Sequence, residues 1–391
     1  PEYAMLRSLV GSEMCIRDSY LCGCQSTLSG RCVTTTNINM INTGLVGTIL
    51  ATHPSYATIP LSLQFLTIAL TLIPVSLLMG KFGRRPMFLI GAMSAFVGCL
   101  VIACAIYYKL FSLFILGSIF LGFSQANQQF YRYAAADNVS ISLKSKAISL
   151  VLAGGLIAAI LGPEVSRYSF DFFPNYIYLA TYLFAAIIQI INFLILIFIN
   201  IKKPIPSKKI NRPLGDVLLQ KNLIIAILAA AVGYSLMSFI MTATPLQIVN
   251  VCKLGDSASA TVIQWHVIAM FAPSFFTGTI INSLGNRKVM MIGLFLYAFS
   301  ISFTIIGQTI EHFWIALFLC GLGWNFLYVG GSDIIAKSAL PEERAKVQGV
   351  TDFIIFVFVA TGSFLAGALH STLGWEIMMF YTSIPIFILF M

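Results

Sequence analysis

Long apolar stretches recur along the chain, broken at short intervals by polar and basic connections. A hydrocarbon core of about 30 Å takes about 20 helical residues, and twelve stretches of that order can be marked. Their approximate limits are 22–50, 56–79, 86–108, 110–136, 146–166, 174–200, 221–247, 259–284, 288–308, 312–337, 347–369 and 374–391. They are too long and too continuous for the alternating ten-residue strands of a membrane barrel, so the pattern predicts helices. The expected fold is an all-α membrane protein with twelve transmembrane helices.

Inside the apolar stretches the polar residues are not scattered. In the first, Arg31, Thr35, Asn39 and Asn42 follow i, i+4, i+8, i+11, one stripe of a helix. In the fourth, Gln125, Gln129 and Arg132 follow i, i+4, i+7. A charge at membrane depth costs about 2.5–3.5 kcal/mol on insertion scales, so both stripes are expected to turn into the bundle.

Composition agrees with the pattern. Of 391 residues 58% are hydrophobic and 9% charged, with a mean hydropathy of +0.90. Water-soluble, disordered and nucleic-acid-binding chains all need more charge. The net charge of +9 is explained by position. Links after even-numbered spans hold sixteen Lys and Arg, Lys81, Arg84, Arg85, Arg287, Lys288 and Lys337 among them, against Lys109, Arg167 and Lys253 on the other side. Basic residues collect on the cytoplasmic face, which places even-numbered links and both termini there. Cys99, Cys104 and Cys320 lie in apolar runs and read as small hydrophobes. Cys22, Cys24 and Cys32 lack His or carboxylate neighbours, so no metal site is expected.

The longest polar link, 201–216, contains three Pro and five basic residues and divides the spans into two sets of six. The expected organisation is a half over 20–200, a cytoplasmic linker over 201–220 and a half over 221–391. Residues 1–19 differ in composition, lack the apolar core of a signal peptide, and resemble an adaptor-derived translation. They are expected to be non-native, and the native chain is expected to continue past Met391.

Matching features recur at a nearly constant offset. Gly83-Arg84-Arg85 corresponds to Gly285-Asn286-Arg287 at 202, and Lys144-Ser145-Lys146 to Arg344-Ala345-Lys346 at 200. Both pairs fall in links after equivalent spans, which points to duplication and two pseudo-symmetric six-helix bundles.

On these features the chain from Tyr20 to Met391 resembles a major facilitator superfamily transporter. The family's link between spans 2 and 3 reads G-x-x-x-D-R-x-G-R-R, and here Lys81, Gly83, Arg84 and Arg85 fit, while Ser76 and Gly80 replace the first Gly and the Asp. Lys81, Gly83, Arg84, Arg85, Gly285 and Arg287 are therefore candidates for a cytoplasmic gate, or simply mark orientation. Gly154-Gly155 with Gly162-Pro163 is a partial antiporter motif, and Ser118 stands where many exporters carry a relay Arg.

The resemblance implies alternating access around a cavity lined by spans 1, 4, 7 and 10. Candidates for it are Arg31, Asn39, Asn42, Gln125, Gln129, Arg132, Tyr234, Gln247, Trp324, Asn325 and Tyr328. Arg132 needs an anion, and Asp333 sits at the equivalent place in the second half at an offset of 201. The two would form a permanent ion pair, form one that breaks during the cycle, or never meet, and His266 would either couple protons or simply bond to a neighbouring helix. Glu164 and Arg167 suit a local i, i+3 pair. Gly321, Gly323, Gly330 and Gly331 form no nucleotide loop and read as small residues for close helix contact.

The implied function is secondary transport or facilitated movement of a small organic solute across a bacterial inner membrane. The alternatives are a proton-coupled efflux antiporter and a non-transporting sensor of the same fold. No enzyme activity, catalytic residue, cofactor, metal or nucleic acid is expected; the lipid bilayer is the implied surrounding, and a monomer the expected state.

Overall fold

The computed structural model describes residues 30–131 except Cys32, Ala134, 144–199, Ile201, 214–338 and 344–390. The side chains of 144–153, Leu214, Ala336, 344–346 and Phe390 lie outside the description, as do Arg132 and most of the linker.

The described residues fold into helices that we number by span. They are α1 (30–50), α2 (Ile59–Phe82), α3 (Arg84–Tyr108), α4 (Phe111–Gln128), α5 (Lys144–Ser169) and α6 (Leu179–Phe198). Then come α7 (Lys221–Pro245), α8 in two segments (Asp256–Phe271 and Ser274–Leu284), α9 (Asn286–Ile306) and α10 (Ile310–Ser338). Last are α11 (Arg344–Leu373) and α12, also in two segments (Trp375–Tyr381 and Ser383–Phe390). The chain is an all-α membrane protein. Among the described residues, seven helices are long and apolar enough to cross a bilayer, or eight with the two segments of α8 taken as one span. Twelve crossings stay an expectation: α4 ends in amides that lower its hydropathy, α12 is split, and α1 and α5 include residues outside the description.

Two tight turns repeat. Gly83 joins α2 to α3 with φ 95° and ψ 164°, and Gly285 joins α8 to α9 with φ 84° and ψ 151°. A β-carbon is strained in this region, which gives both repeated glycines a backbone reason. Next to the first turn, Arg85 donates from Nε to the Leu196 carbonyl at 3.4 Å and from Nη2 to the Ile197 carbonyl. It thereby serves the orphan carbonyls at the C-terminus of α6. In the second, Asn286 donates to the Gly330 carbonyl and to Asp333, both at 2.9 Å.

Close approach explains the glycines of α10. A β-carbon on Gly321 would lie 2.5 Å from the His266 carbonyl oxygen, and one on Gly331 2.9 Å from that of Ala226. Here α10 packs against α7, α8 and α9, while α2 packs on α11 and α5 on α8. Cys99 and Cys320 are free and buried in apolar surroundings; Cys104 is free and exposed.

The helix α8 bends by 44° at its break. Pro273 supplies no N–H to the ladder, which frees carbonyls one turn back. Asn325 of α10 meets this defect: its Nδ2 donates to the Met270 carbonyl and the Ser274 hydroxyl, each at 2.7 Å, and its Oδ1 accepts from Thr277 at 2.5 Å.

Candidate functional site

A cavity of about 160 Å³ lies between α1, α4 and α5 on one side and α7, α8 and α10 on the other. Its two walls differ. Thr36, Asn37, Gln125, Gln128 and Gln129 make the first wall polar. Tyr234, Trp324, Tyr328 and Phe271, with Met237, Met241 and Met270, make the second aromatic and soft.

The aromatic wall is ordered. Trp324 and Tyr328 lie one turn apart on α10 and stack at 4.9 Å with their planes 10° apart. Tyr234 meets both edge-on at 5.3 and 5.4 Å, and Phe271 meets Trp324 at 6.1 Å. The Trp324 Nε1 is buried without a hydrogen-bond partner among the described residues. An indole N–H without an acceptor costs free energy, which a ligand acceptor would recover.

The cavity is closed at the end away from the basic turns. There Arg167 donates to Glu164 and to Thr261, each at 2.8 Å, and Gln264 donates to Glu164 at 3.3 Å. Tyr178 donates to Asp256, and burial together with this carboxylate pushes its phenol well above the usual range. The hydroxyls of Ser55 and Ser371 are hydrogen-bonded at 2.7 Å. These contacts tie α5 and its following loop to α8, and the link before α2 to α11.

Several site candidates are brought together and others are not. Gln125, Gln129, Tyr234, Trp324 and Tyr328 line the cavity. Asn39 and Asn42 do not: they meet Gln64 at 2.5 Å and Ser166 at 2.7 Å, so their stripe fastens α1 to α2 and α5. The face of α1 that does line the cavity is Val33, Thr36, Asn37 and Met40, whose single amide gave a weaker periodic signal. Asn325 serves the α8 bend rather than the cavity. Gln247 lies at the closed end, donating to Gln308 at 2.6 Å and meeting His370 at 2.9 Å. Arg31 is half-buried, with Nη1 unpartnered among the described residues, away from the cavity lining.

Asp333 accepts from Lys337 at 2.5 Å as well as from Asn286. Its expected partner Arg132 lies outside the described residues. His266 is fully buried, with Nδ1 2.7 Å from the Leu317 carbonyl oxygen, and takes no part in the cavity wall. Lys81 and Arg287 are exposed at the basic end, and Arg84 is half-buried there. Among the described residues no group of His, Cys, Asp and Glu could hold a metal ion.

The major facilitator superfamily model matches residues 27–255 and 223–391, and the chain belongs to that superfamily. It is a multi-pass membrane transporter, and its curated relatives are bacterial. It is 39% identical over 337 residues to riboflavin transporter RfnT of Brucella anthropi, covering 85% of this chain and 84% of the relative. An uncharacterized transporter of the same type, YdeG of Bacillus subtilis, is 29% identical over 335 residues, 80% of this chain and 77% of the relative. Among solved structures, a point mutant of nucleoside transporter NupG superposes with a TM-score of 0.67 at 15% identity, covering 94% of this chain and 99% of that one.

Proposed function

We propose that this transporter moves riboflavin, or a flavin-like solute with a flat polar-edged ring, across the bacterial inner membrane by alternating access. The basic turns at Gly83 and Gly285 are placed in the cytoplasm, with both termini. The observation that carries the reading is the unlike pair of cavity walls. A stacked Trp324–Tyr328 face suits the apolar surface of a fused ring, and an opposing row of amides suits its polar edge. The similarity to a riboflavin transporter supports the same solute.

At about 160 Å³ the cavity is smaller than the roughly 300–1,000 Å³ of sites for drug-sized ligands. Loading a three-ring solute therefore requires the two walls to part, which is what rocking of two helix bundles supplies. With the basic turns in the cytoplasm on this reading, the contacts at Arg167, Tyr178 and Ser55 would close the site toward the outside.

Counterflow of labelled riboflavin in proteoliposomes tests this without presupposing import or export. Accumulation is expected for the wild type, with at least about a tenfold loss in Trp324→Ala, since large aromatic hot spots are worth 2 kcal/mol or more. A folded wild type that accumulates no riboflavin, and whose melting temperature riboflavin does not raise, would rule out the flavin reading.

A further inference from the structure

We propose that Gln125 presents its side-chain NH2 to the solute, held in that orientation by a buried chain of Tyr182, Asn39 and Gln64, so that the site selects solutes carrying a hydrogen-bond acceptor. The inference rests on the reading that the cavity is the solute site.

The chain crosses four helices. The Tyr182 hydroxyl of α6 donates to Asn39 Oδ1 of α1 at 2.8 Å. Asn39 Nδ2 donates to Gln64 Oε1 of α2 at 2.5 Å, and Gln64 Nε2 donates to Gln125 Oε1 of α4 at 2.8 Å. Tyr182, Asn39 and Gln64 are at most 1% exposed, so water does not compete for these groups. The backbone brings the last link into reach: a β-carbon on Gly122 would lie 2.5 Å from the Gln64 carbonyl oxygen, so α4 rides directly on α2 at this level.

Each amide spends its oxygen on the preceding donor and passes its own N–H onward. The Oε1 of Gln125 is thereby occupied, and Nε2, without a protein partner among the described residues, is the group left for the cavity. An amide can be flipped end for end, so the terminal residue decides the direction. A phenol is a stronger donor than acceptor, because its oxygen lone pair is conjugated with the ring, and this sends the chain toward the cavity. Dipoles aligned head to tail in a dry interior strengthen one another, which sharpens the last donor.

The chemistry on the solute follows. It must offer a carbonyl oxygen or an unprotonated ring nitrogen at the edge of the ring whose face meets Trp324. The dione of a flavin has such carbonyls. Tyr182, Asn39 and Gln64 act as positioning residues, since none of them lines the cavity.

Two substitutions read the direction without any solute. In Gln125→Glu the carboxylate still accepts from Gln64, and the melting temperature is expected to fall by less than about 3 °C. Gln64→Glu removes the donor to Gln125 and buries a charge in a dry site, and a fall of more than about 6 °C, or failure to fold, is expected. Equal falls, or a larger one in Gln125→Glu, mean that the chain runs the other way and overturn the proposal.

Binding of riboflavin and of anthracene, a tricycle of matching ring size with neither carbonyls nor ring nitrogens, supplies the second readout. Gln125→Glu should weaken riboflavin by at least about tenfold and anthracene by less than about twofold. Tyr182→Phe should lower the riboflavin-to-anthracene ratio as well, which a purely structural tyrosine would not do. Parallel losses for both tricycles overturn the donor assignment. If the wild type binds neither, the flavin reading fails, and the melting order still decides the orientation of Gln125.

Discussion

Polarity within an apolar helix states that a residue must be satisfied, and the structure shows by what. Asn325 makes three hydrogen bonds at the α8 bend. Replacing it by Leu leaves the Met270 carbonyl and two hydroxyls without that partner, and a loss of about 2–4 kcal/mol is expected in thermal or chemical melts. His266 is held by the Leu317 carbonyl in a fully buried site. We expect His266→Gln to lower stability while leaving the pH profile of riboflavin counterflow in place; a displaced profile would restore a coupling role. Asn325 reads in the sequence as one more cavity amide, since a residue type shows its donors and acceptors but not their partners.

At the level of helices, the periodicity separates lipid-facing from interior positions and goes no further. In α1 both Asn39 and Asn37 are interior, yet Asn39 meets Gln64 while Asn37 lines the cavity and donates to the Ala158 carbonyl at 3.2 Å. A helix surrounded on several sides has two interior faces, and amide content marked the one turned to its neighbours. The bend in α8 was legible in principle at Pro273, but its consequence depends on α10. Pro273→Ala restores an N–H for the Ala269 carbonyl and removes the ring that forces the bend, so the Met270 carbonyl can return to the Ser274 N–H and depends less on Asn325. The double variant Pro273→Ala with Asn325→Leu should therefore lose less stability than the two single losses added, by at least about 0.5 kcal/mol.

For the whole molecule, the closed end is the testable feature. Ser55 and Ser371 are hydrogen-bonded through their hydroxyls at 2.7 Å, so Cys at both positions would be placed for a disulfide. Oxidation of the Ser55→Cys, Ser371→Cys pair is expected to stop riboflavin counterflow, reduction to restore it, and either single variant to be indifferent to both. Persistent transport in the fully cross-linked protein would mean that this end does not open. Arg167→Gln removes the bond to Glu164 and the tie to Thr261 on α8. It should raise the alkylation rate of a Met241→Cys reporter in the cavity wall severalfold, as the closed state becomes less populated.

From the sequence alone came the membrane class, the helical pattern, the basic face, the internal offset of about 200 residues, and the pairing of Glu164 with Arg167, found at 2.8 Å. These follow from bilayer thickness, the 3.6-residue period and local spacing, all of which act along the chain. The tertiary structure alone decided which interior face of α1 meets the cavity, that Asn325 repairs a bend, that Asp333 accepts from Asn286 and Lys337, and that Gln64 stands behind Gln125. The physical reason is that a buried polar group is satisfied equally well by a neighbouring helix, its own backbone or a solute, and only packing in three dimensions selects among them.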